Sequence, residues 1–347
     1  MEFYIGEKLI GSNNTFIIAE LSCNHNQDIN VALKLIEEAH KANADAIKLQ
    51  TYTADTITLN SNKEDFVIKG GTLWDGQTLY DLYKKAYTPW DWTPILMKKA
   101  NDLGMELFSS PFDITAVDHL ESHNCPAYKV ASCEVTDHIL LKRIAETKKP
   151  VIISSGGASL EDLESALHVL RSNGTKDIVM LKCTAAYPAD PADANLKTMV
   201  NMKETYNVIP GLSDHTLGPT VPITSVALGA KVIEKHFTLS RDSGSPDDAF
   251  SLTPNEFKEM VEYVRIAETC LGKIKYGGVK SEESTKKFRR SLYSVSDIKK
   301  GDIITKQNIK SVRPGNGLHT KHYQEILGKK ARVDIEFATP ISWELLE

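Results

Sequence analysis

The sequence predicts an α/β fold that consists of a closed barrel and a small second unit. Short β-branched or apolar runs alternate with longer helical patterns through about the first 270 residues, and eight such runs occur. This alternation indicates parallel strands joined by helices, and eight strands favour a (β/α)₈ TIM barrel over a doubly wound open sheet, which is the alternative. This alternation of strand and helix patterns ends near Leu271, which indicates a separate C-terminal unit.

The predicted strands are short and mostly apolar. Helical segments separate most of them, for example Ile29–Ala42, Leu160–Ser172 and Pro254–Leu271, where apolar residues recur at helical spacing. The predicted strands are Phe16–Glu20, Ala46–Gln50, Glu106–Ser109, Ala127–Ala131, Val151–Ser154, Ile178–Lys182, Val208–Leu212 and Lys231–Lys235.

The composition is typical of a globular protein that has neither a nucleic-acid nor a membrane partner. The chain is 41% apolar and 25% charged, its net charge is −5, and its basic residues are scattered. No apolar run approaches the roughly 20 residues of a membrane span, and the N-terminus does not resemble a secretory signal. Five cysteines without a C-x-x-C pair indicate reduced thiols. We therefore expect a soluble, cytoplasmic protein.

The chain is expected to contain three regions: a barrel at residues 1–272, a linker at 273–290 and a small unit at 291–347. The linker is rich in Gly, Lys, Ser and Glu, and the last unit is too short for a large core of its own. Within the barrel, Thr53–Tyr87 after the second strand is too long for an ordinary loop. We expect it to be a lid or a substrate loop.

Two histidines end the last two predicted strands of the barrel. His215 follows Gly211-Leu-Ser-Asp and His236 follows Val232-Ile-Glu-Lys, so each has a carboxylate close by, Asp214 or Glu234. Their separation of 21 residues (236 − 215) equals one strand–helix–strand step, which would bring both rings to the same end of the barrel. Two imidazoles and a carboxylate can hold a divalent metal with open coordination positions. The alternative is a pair of hydrogen-bonded structural histidines.

Other polar residues also gather at the strand ends, where barrel enzymes place their catalytic groups. Lysines are costly inside apolar strands unless they are paired or bind an anion. Lysines with hydroxyls and glycine amides form a cradle for phosphate and carboxylate groups, and a Schiff-base lysine at Lys48 or Lys129 is the rival interpretation. These polar residues are Glu20, Lys48, Ser110, Lys129, Ser132, Glu134, Ser154, Lys182, Tyr187, Ser213 and Asp247.

Several motifs in the same order resemble the sialic acid synthase family, and the resemblance covers essentially the whole chain. The C-terminal Arg313-Pro-Gly-Asn-Gly resembles the antifreeze-like (SAF) domain of that family. The barrel motifs are Ile18-Ala-Glu-Leu-Ser-Cys-Asn-His, Lys48-Leu-Gln-Thr, Pro126-Ala-Tyr-Lys-Val-Ala-Ser, Gly211-Leu-Ser-Asp-His-Thr and Glu234-Lys-His-Phe-Thr.

Two segments resemble the branch of that family that makes pseudaminic acid: residues 71–90, and Cys183-Thr-Ala-Ala-Tyr with its Ala185. The resemblance implies condensation of phosphoenolpyruvate with 2,4-diacetamido-2,4,6-trideoxy-L-altrose and water, giving pseudaminic acid and phosphate by C–O cleavage. The alternatives are an N-acetylneuraminate or legionaminate synthase of the same family and, with less support, a pyruvate-dependent aldolase.

The resemblance also implies roles for the residues at the strand ends. A divalent metal, Mn²⁺ first with Mg²⁺ or Co²⁺ as alternatives, would bind His215 and His236 and activate the sugar aldehyde, with Glu234 and Asp247 ordering a metal-bound water. A homodimer is implied, in which Arg313 of one subunit enters the site of the other. The implied catalytic residues are Glu20, Lys48, Tyr187 and Asp247, the phosphoenolpyruvate-binding residues are Ser110, Lys129, Ser132, Ser154 and Ser213, and the sugar-binding residues are Glu134, Tyr187 and Arg313.

Overall fold

A computed structural model describes residues 1–347, which form two compact units, Met1–Gly272 and Lys273–Glu347. The strands are β1 (Phe3–Ile5), β2 (Lys8–Ile10), β3 (Phe16–Glu20), β4 (Ala46–Thr51), β5 (Glu106–Pro111), β6 (Tyr128–Val130), β7 (Val151–Ser154), β8 (Ile178–Cys183), β9 (Ile209–Asp214), β10 (Val232–His236), β11 (Ser291–Ser294) and β12 (Ile309–Val312). The α-helices are α1 (Ile29–Lys41), α2 (Ala54–Ile57), α3 (Leu79–Ala86), α4 (Thr93–Asp102), α5 (Ile114–Ser122), α6 (His138–Glu146), α7 (Leu160–Ser172), α8 (Lys197–Tyr206), α9 (Thr220–Ala227), α10 (Pro254–Leu271) and α11 (Tyr323–Ile326).

Strands β3 to β10 form a closed parallel barrel, which confirms the predicted fold and shows that the doubly wound alternative is wrong. The barrel closes where β10 pairs with β3, and this register places His236 opposite Glu20. On its other side β3 pairs with β4, which places Glu20 opposite Lys48. Three of the predicted site residues therefore lie side by side at the carboxyl ends of neighbouring strands.

The helices around the barrel form where the sequence supplies both a cap and an apolar stripe. In α7, the Ser159 hydroxyl accepts a hydrogen bond from the amide of Asp162, whose side chain accepts one from the amide of Ser159. The buried residues of α7 recur at helical spacing and pack towards the strands. They are Leu163, Ala166, Leu167 and Leu170.

Three features of the first unit differ from the sequence prediction. The hairpin of β1 and β2 was not predicted, because two strands of three residues carry too little periodicity. Strands β4, β5, β8, β9 and β10 run one or two residues further than predicted, so several predicted loop residues lie within strands. The segment Thr53–Tyr87 contains α2 and α3, and α3 is stabilised by the Thr78 cap and buried Leu82 and Ala86.

The second unit has its own small core around the antiparallel pair β11 and β12. Residues 273–290, the predicted linker, include the exposed 3₁₀ helix Lys280–Phe288. None of the helices in either unit combines the length and the apolar composition needed to cross a membrane. The core of the second unit consists of Leu292, Ile298, Ile304, Ile309, Ile326, Ala331, Ile335, Ile341 and Leu346.

Candidate active site

One cavity of about 510 Å³ opens at the carboxyl ends of the barrel strands. Lys48, Lys129 and Glu234 give it polar lining. Together with Glu20, which does not line the cavity but pairs with Lys48, we call them the charged cluster, and we call His215 with His236 the histidine pair. Other lining residues come from the segment between β4 and α4. We call its apolar members the apolar wall: Ile57, Ile68, Trp74, Leu79, Leu82 and Ala86.

The charged cluster is held inside the barrel with little contact to water. Lys48 Nζ lies 2.9 Å from Glu20 Oε2 and 3.0 Å from Glu234 Oε1. Lys129 Nζ lies 3.7 Å from Glu234 Oε1, and the Lys129 side chain is only 2% exposed. Buried charges at these distances interact strongly, so the protonation of each group depends on the others.

Burial and neighbouring charges shift the pKa values of these groups in different directions. Burial raises the pKa of Glu20, although Lys48 opposes this shift. Burial also lowers the pKa of Lys129, whereas the pKa of Lys48 is raised because Glu20 and Glu234 outweigh its burial. For Glu234, Lys129 and Lys48 outweigh burial and lower its pKa. Glu20 is therefore the carboxylate with the greatest basicity in the cluster.

Several buried polar atoms beside the cavity have no partner within the protein. Lys129 Nζ makes no hydrogen bond beyond its long contact to Glu234, and neither Ser154 Oγ nor Glu234 Oε2 has a hydrogen-bond partner. Such unsatisfied groups are costly in a folded protein, so they mark a place for a polar ligand. Ser213 Oγ, which also lines the cavity, donates to Glu234 Oε1 at 3.3 Å.

The histidine pair has the geometry expected of two neighbouring ligands. The ring centroids of His215 and His236 lie 5.3 Å apart, and His215 Nδ1 donates to the Thr184 carbonyl at 2.8 Å. This hydrogen bond orients the His215 ring and leaves its Nε2 free as an acceptor. His236 Nδ1 is buried without a hydrogen-bond partner, and Asp247 Oδ2 lies 3.7 Å away.

The donor set fits a divalent cation whose coordination is completed by water or substrate. Burial lowers the pKa of His236 well below its ordinary value, so its imidazole is neutral. No three His, Cys, Asp or Glu side chains converge closely enough to hold a metal by protein atoms alone. Two imidazoles with Asp247 and the free oxygen of Glu234 nearby form a mixed nitrogen and oxygen set of the kind that first-row divalent metals accept.

Tyr187 and Glu134 both line the cavity. The Tyr187 ring lies 4.3 Å from the His215 ring and 5.1 Å from that of Phe250. Burial raises the pKa of Glu134 to about 7, and its Oε2 has no hydrogen-bond partner. Ser132 Oγ accepts a hydrogen bond from the Gly156 amide at 3.1 Å, an approach that only glycine permits because a Cβ there would lie 2.7 Å from Ser132 Oγ.

The structure places some predicted residues away from the cavity. Glu20 and Ser110 are fully buried and do not line the cavity, but Lys48 Nζ lies 2.9 Å from Glu20 Oε2 and 3.4 Å from the Ser110 hydroxyl. Lys182 does not line the cavity, since its ammonium donates to the Cys183 carbonyl at 2.8 Å. Asp214 pairs with the buried Lys235 rather than facing the histidine pair. Arg313 is exposed in the second unit.

Sequence reasoning missed two polar residues that connect the predicted ones. Gln50 Nε2 donates to Glu20 Oε1 at 3.1 Å and to Ser22 Oγ at 3.0 Å. Ser22 Oγ in turn donates to Asp247 Oδ2 at 2.5 Å, so a continuous chain links the two carboxylates. Both residues belong to motifs already noted, and their positions two residues after Glu20 and Lys48 were the available signal.

Comparisons with known proteins agree with this geometry. Residues 35–276 match the NeuB family model, and residues 289–347 match the SAF domain model. The pseudaminic acid synthase of Campylobacter jejuni is 50% identical over 94% of this chain and 96% of its own length, and that of Helicobacter pylori is 46% identical over 95% and 97%.

A solved N-acetylneuraminic acid synthetase from Leptospira borgpetersenii, crystallised in complex with citrate, superimposes with a TM-score of 0.73 at 31% identity. The match covers 82% of this chain and 95% of that one. The predicted family resemblance is therefore confirmed along nearly the whole length: the chain belongs to the NeuB family, and its C-terminal unit is a SAF domain.

Proposed function

We propose that the chain is a pseudaminic acid synthase, which condenses phosphoenolpyruvate with 2,4-diacetamido-2,4,6-trideoxy-L-altrose and water to give pseudaminic acid and phosphate. The observation that carries this proposal is a single cavity in which buried Lys48 and Lys129 lie beside the histidine pair. Identities of 46% and 50% to two pseudaminic acid synthases over most of the chain support the choice of acceptor within the family.

Phosphoenolpyruvate would bind at the charged cluster. Lys129 offers a buried ammonium that makes no hydrogen bond and whose ion pair with Glu234 is 3.7 Å long, and Ser154 offers a buried hydroxyl without a partner. Ser132 and Ser213 add hydroxyls at the same surface of the cavity. An anion that receives hydrogen bonds from these groups would satisfy them and compensate for their burial. Ser110 would act indirectly, through its contact with Lys48.

The proposed reaction forms one C–C bond and breaks one C–O bond. C3 of phosphoenolpyruvate attacks C1 of the sugar aldehyde, water then adds to C2, and the resulting tetrahedral intermediate expels phosphate by cleavage of its C2–O bond. Glu20 would accept the proton of the attacking water, because its raised pKa makes it a stronger base. Lys48, which pairs with Glu20 before the proton transfer, would then stabilise the negative charge on the departing phosphate.

The other residues of the cavity would hold the acceptor. Tyr187 would pack against the sugar beside His215, and Glu134 would meet its polar groups on the opposite side. A divalent cation, Mn²⁺ in the first place and Mg²⁺ or Co²⁺ as alternatives, would be held by His215 and His236, with Glu234 and Asp247 binding through water, and would supply Lewis-acid polarisation of the aldehyde oxygen.

The assembly and location of the enzyme belong to the same proposal. A homodimer in which Arg313 enters the site of a second subunit is supported by the exposure of Arg313 and by the small core of its unit. Mixing Arg313→Ala protein with Glu20→Ala protein should then restore activity, since one exchanged site has both residues; no recovery would contradict the arrangement. The five free cysteines support a cytoplasmic location, which cell fractionation checks.

Phosphate release tests the proposed function directly. Purified protein is mixed with phosphoenolpyruvate, Mn²⁺ and a panel of acetamido sugars, and product formation is followed by mass spectrometry. We expect the highest kcat/KM with the trideoxy altrose. Preference for N-acetylmannosamine would overturn the choice of acceptor, and absence of phosphate release with every sugar would overturn the synthase proposal. Formation of the product from the sugar and pyruvate, without phosphoenolpyruvate, would favour an aldolase.

A further inference from the structure

Most of the side chains that line the cavity from the inserted segment between β4 and α4 are apolar, although Thr72 and Tyr83 of this segment also line it. Ile57, Ile68 and Leu79 are half-buried and line the cavity, and Leu82 and Ala86 complete the surface from α3. None of these side chains can donate or accept a hydrogen bond. These five aliphatic residues of the apolar wall therefore cannot take part in proton transfer or anion binding, and the proposed function has so far left them without a role.

The apolar wall is built before any ligand arrives. The side chains of Thr53 and Thr56 form a reciprocal cap at the start of α2, and Val67 pairs with Thr78 as a short antiparallel bridge. Asp75 closes the turn between them by accepting hydrogen bonds from the amides of neighbouring residues. Such local hydrogen bonds hold the segment in one conformation, so its apolar side chains are presented in a fixed arrangement.

The apolar wall is also connected to the reacting centre. Trp74 Nε1 donates to the Pro246 carbonyl at 3.2 Å, which ties the segment to the chain beside Asp247. The Trp74 ring lies 5.9 Å from the Tyr187 ring, which in turn lies 4.3 Å from the His215 ring. A sugar whose aldehyde reaches the histidine pair would therefore pass Tyr187 and extend its far end to the apolar wall.

The far end of the acceptor in the proposed function is a methyl group. In the open-chain trideoxy sugar, C1 is the aldehyde and C6 is a methyl at the other end of the carbon chain. A methyl group gains from burial against aliphatic side chains, whereas a hydroxyl at C6 would lose its bonds to water and find no partner there. Hydrophobic pockets discriminate against an added hydroxyl by about 10²-fold.

We propose that the apolar wall is the specificity element that receives the C6 methyl group and selects 6-deoxy acceptors over 6-hydroxy ones. This inference rests on the proposed function, because it assumes an amino-sugar aldehyde with its C1 at the histidine pair. Ile68 and Leu79 are the central specificity-determining residues, since both line the cavity without being fully buried in the fold.

The test compares two acceptors that differ only at C6: 2,4-diacetamido-2,4,6-trideoxy-L-altrose and 2,4-diacetamido-2,4-dideoxy-L-altrose. Initial rates of phosphate release give kcat/KM for both sugars with the full chain and with Ile68→Thr and Leu79→Asn. The control is Leu59→Asn, which alters the same segment at a residue that is 67% exposed and does not line the cavity.

We expect the natural chain to prefer the 6-deoxy sugar by about 10²-fold and each cavity variant to lower this ratio by about tenfold. The KM for phosphoenolpyruvate should stay unchanged, and Leu59→Asn should keep the natural ratio. An unchanged ratio in both cavity variants, or an equal loss in the control, would overturn the role of the apolar wall.

Failure of the proposed function gives a different result. If neither sugar leads to phosphate release, the synthase proposal fails, and calorimetric binding of the two sugars to the phosphoenolpyruvate-loaded protein decides the inference. Tighter binding of the 6-deoxy sugar that is weakened by Leu79→Asn would support the apolar wall as its site. Equal binding of both sugars would overturn it.

Discussion

Members of the charged cluster and of the apolar wall line the same cavity, yet the fold holds the two groups in different ways. Each member of the charged cluster lies on a barrel strand, where pairing such as that of Glu20 with Lys48 fixes its position. The apolar wall lies on a segment inserted after β4 and is held by local turns and caps. We infer that the barrel strands hold the groups for the reaction that members of the family share. The inserted segment selects the acceptor, and a loop segment of this kind can vary without disturbing the barrel.

The largest expected effect comes from the histidine pair on the strand side. His215→Ala and His236→Ala should each abolish turnover with every acceptor and weaken Mn²⁺ binding by more than the 10- to 100-fold that loss of a supporting group costs. Metal titration followed by electron paramagnetic resonance checks this, with circular dichroism to confirm folding.

A matched control for the histidine pair is His119→Ala, because His119 is hydrogen-bonded to Thr93 and lies outside the cavity. It should keep the Mn²⁺ affinity of the natural chain. Equal Mn²⁺ binding by His215→Ala, His236→Ala and His119→Ala would contradict the role of the histidine pair as metal ligands.

The next effect separates anion binding from acceptor choice. Lys129→Met should lower kcat/KM by about 10²- to 10³-fold, as expected when one positioned charge at the reacting group is lost. The loss should be equal for 6-deoxy and 6-hydroxy acceptors, because Lys129 belongs to the charged cluster. Lys182→Met is the control, since that lysine lies in a barrel strand without lining the cavity. If Lys129→Met lowered kcat/KM by different factors for the two acceptors, Lys129 would take part in acceptor selection, contrary to the proposal.

Glu134 also lines the cavity, and its titration gives a pH-dependent effect. Its folded-state pKa of about 7 lies above its ordinary value of 4.5, because burial favours the neutral carboxyl. The contribution of the neutral Glu134 carboxyl to the free energy of unfolding, up to about 3 kcal/mol, is therefore fully present below pH 4.5. This contribution is lost as the pH rises through 7. In Glu134→Gln, the free energy of unfolding measured by urea titration should vary less between these pH values. If the free energy of unfolding of Glu134→Gln varied with pH as in the natural chain, a group other than Glu134 would cause the pH dependence.

The smallest effect concerns the attachment of the apolar wall. Trp74→Phe keeps an aromatic ring but removes the hydrogen bond to the Pro246 carbonyl, which is worth about 1 kcal/mol. We expect a several-fold rise in the acceptor KM with little change in the KM for phosphoenolpyruvate. Tyr80→Phe also keeps an aromatic ring and removes one hydrogen bond of the same segment, at 3.1 Å to Asp55 Oδ1. Because neither Tyr80 nor Asp55 lines the cavity, this control should leave both constants unchanged. If the tryptophan variant and its control change the acceptor KM equally, the hydrogen bond that attaches the apolar wall does not influence acceptor binding.

Most of the charged cluster and the histidine pair could be predicted from the sequence, because short local patterns mark the strands on which these residues lie. Apolar runs and helical spacing marked the eight strands, and the rule that barrel sites lie at the carboxyl ends then brought His215, His236, Glu20 and Lys48 together. The apolar wall was predicted only as a substrate loop. Its apolar residues are spread over a segment with weak periodicity, so no pattern showed that they share one surface.

The sequence by itself determined the barrel, the motifs of the family and the set of polar residues near the strand ends. Only the tertiary structure decided which of them face the cavity: Lys129 does, whereas Lys182 and Lys235 do not, although all three lie in barrel strands. The physical reason is that parallel barrel strands are covered on both faces, so both alternating sets of side chains are mostly apolar and the sequence does not show which set points inwards. Closure of the barrel between β10 and β3 makes that choice.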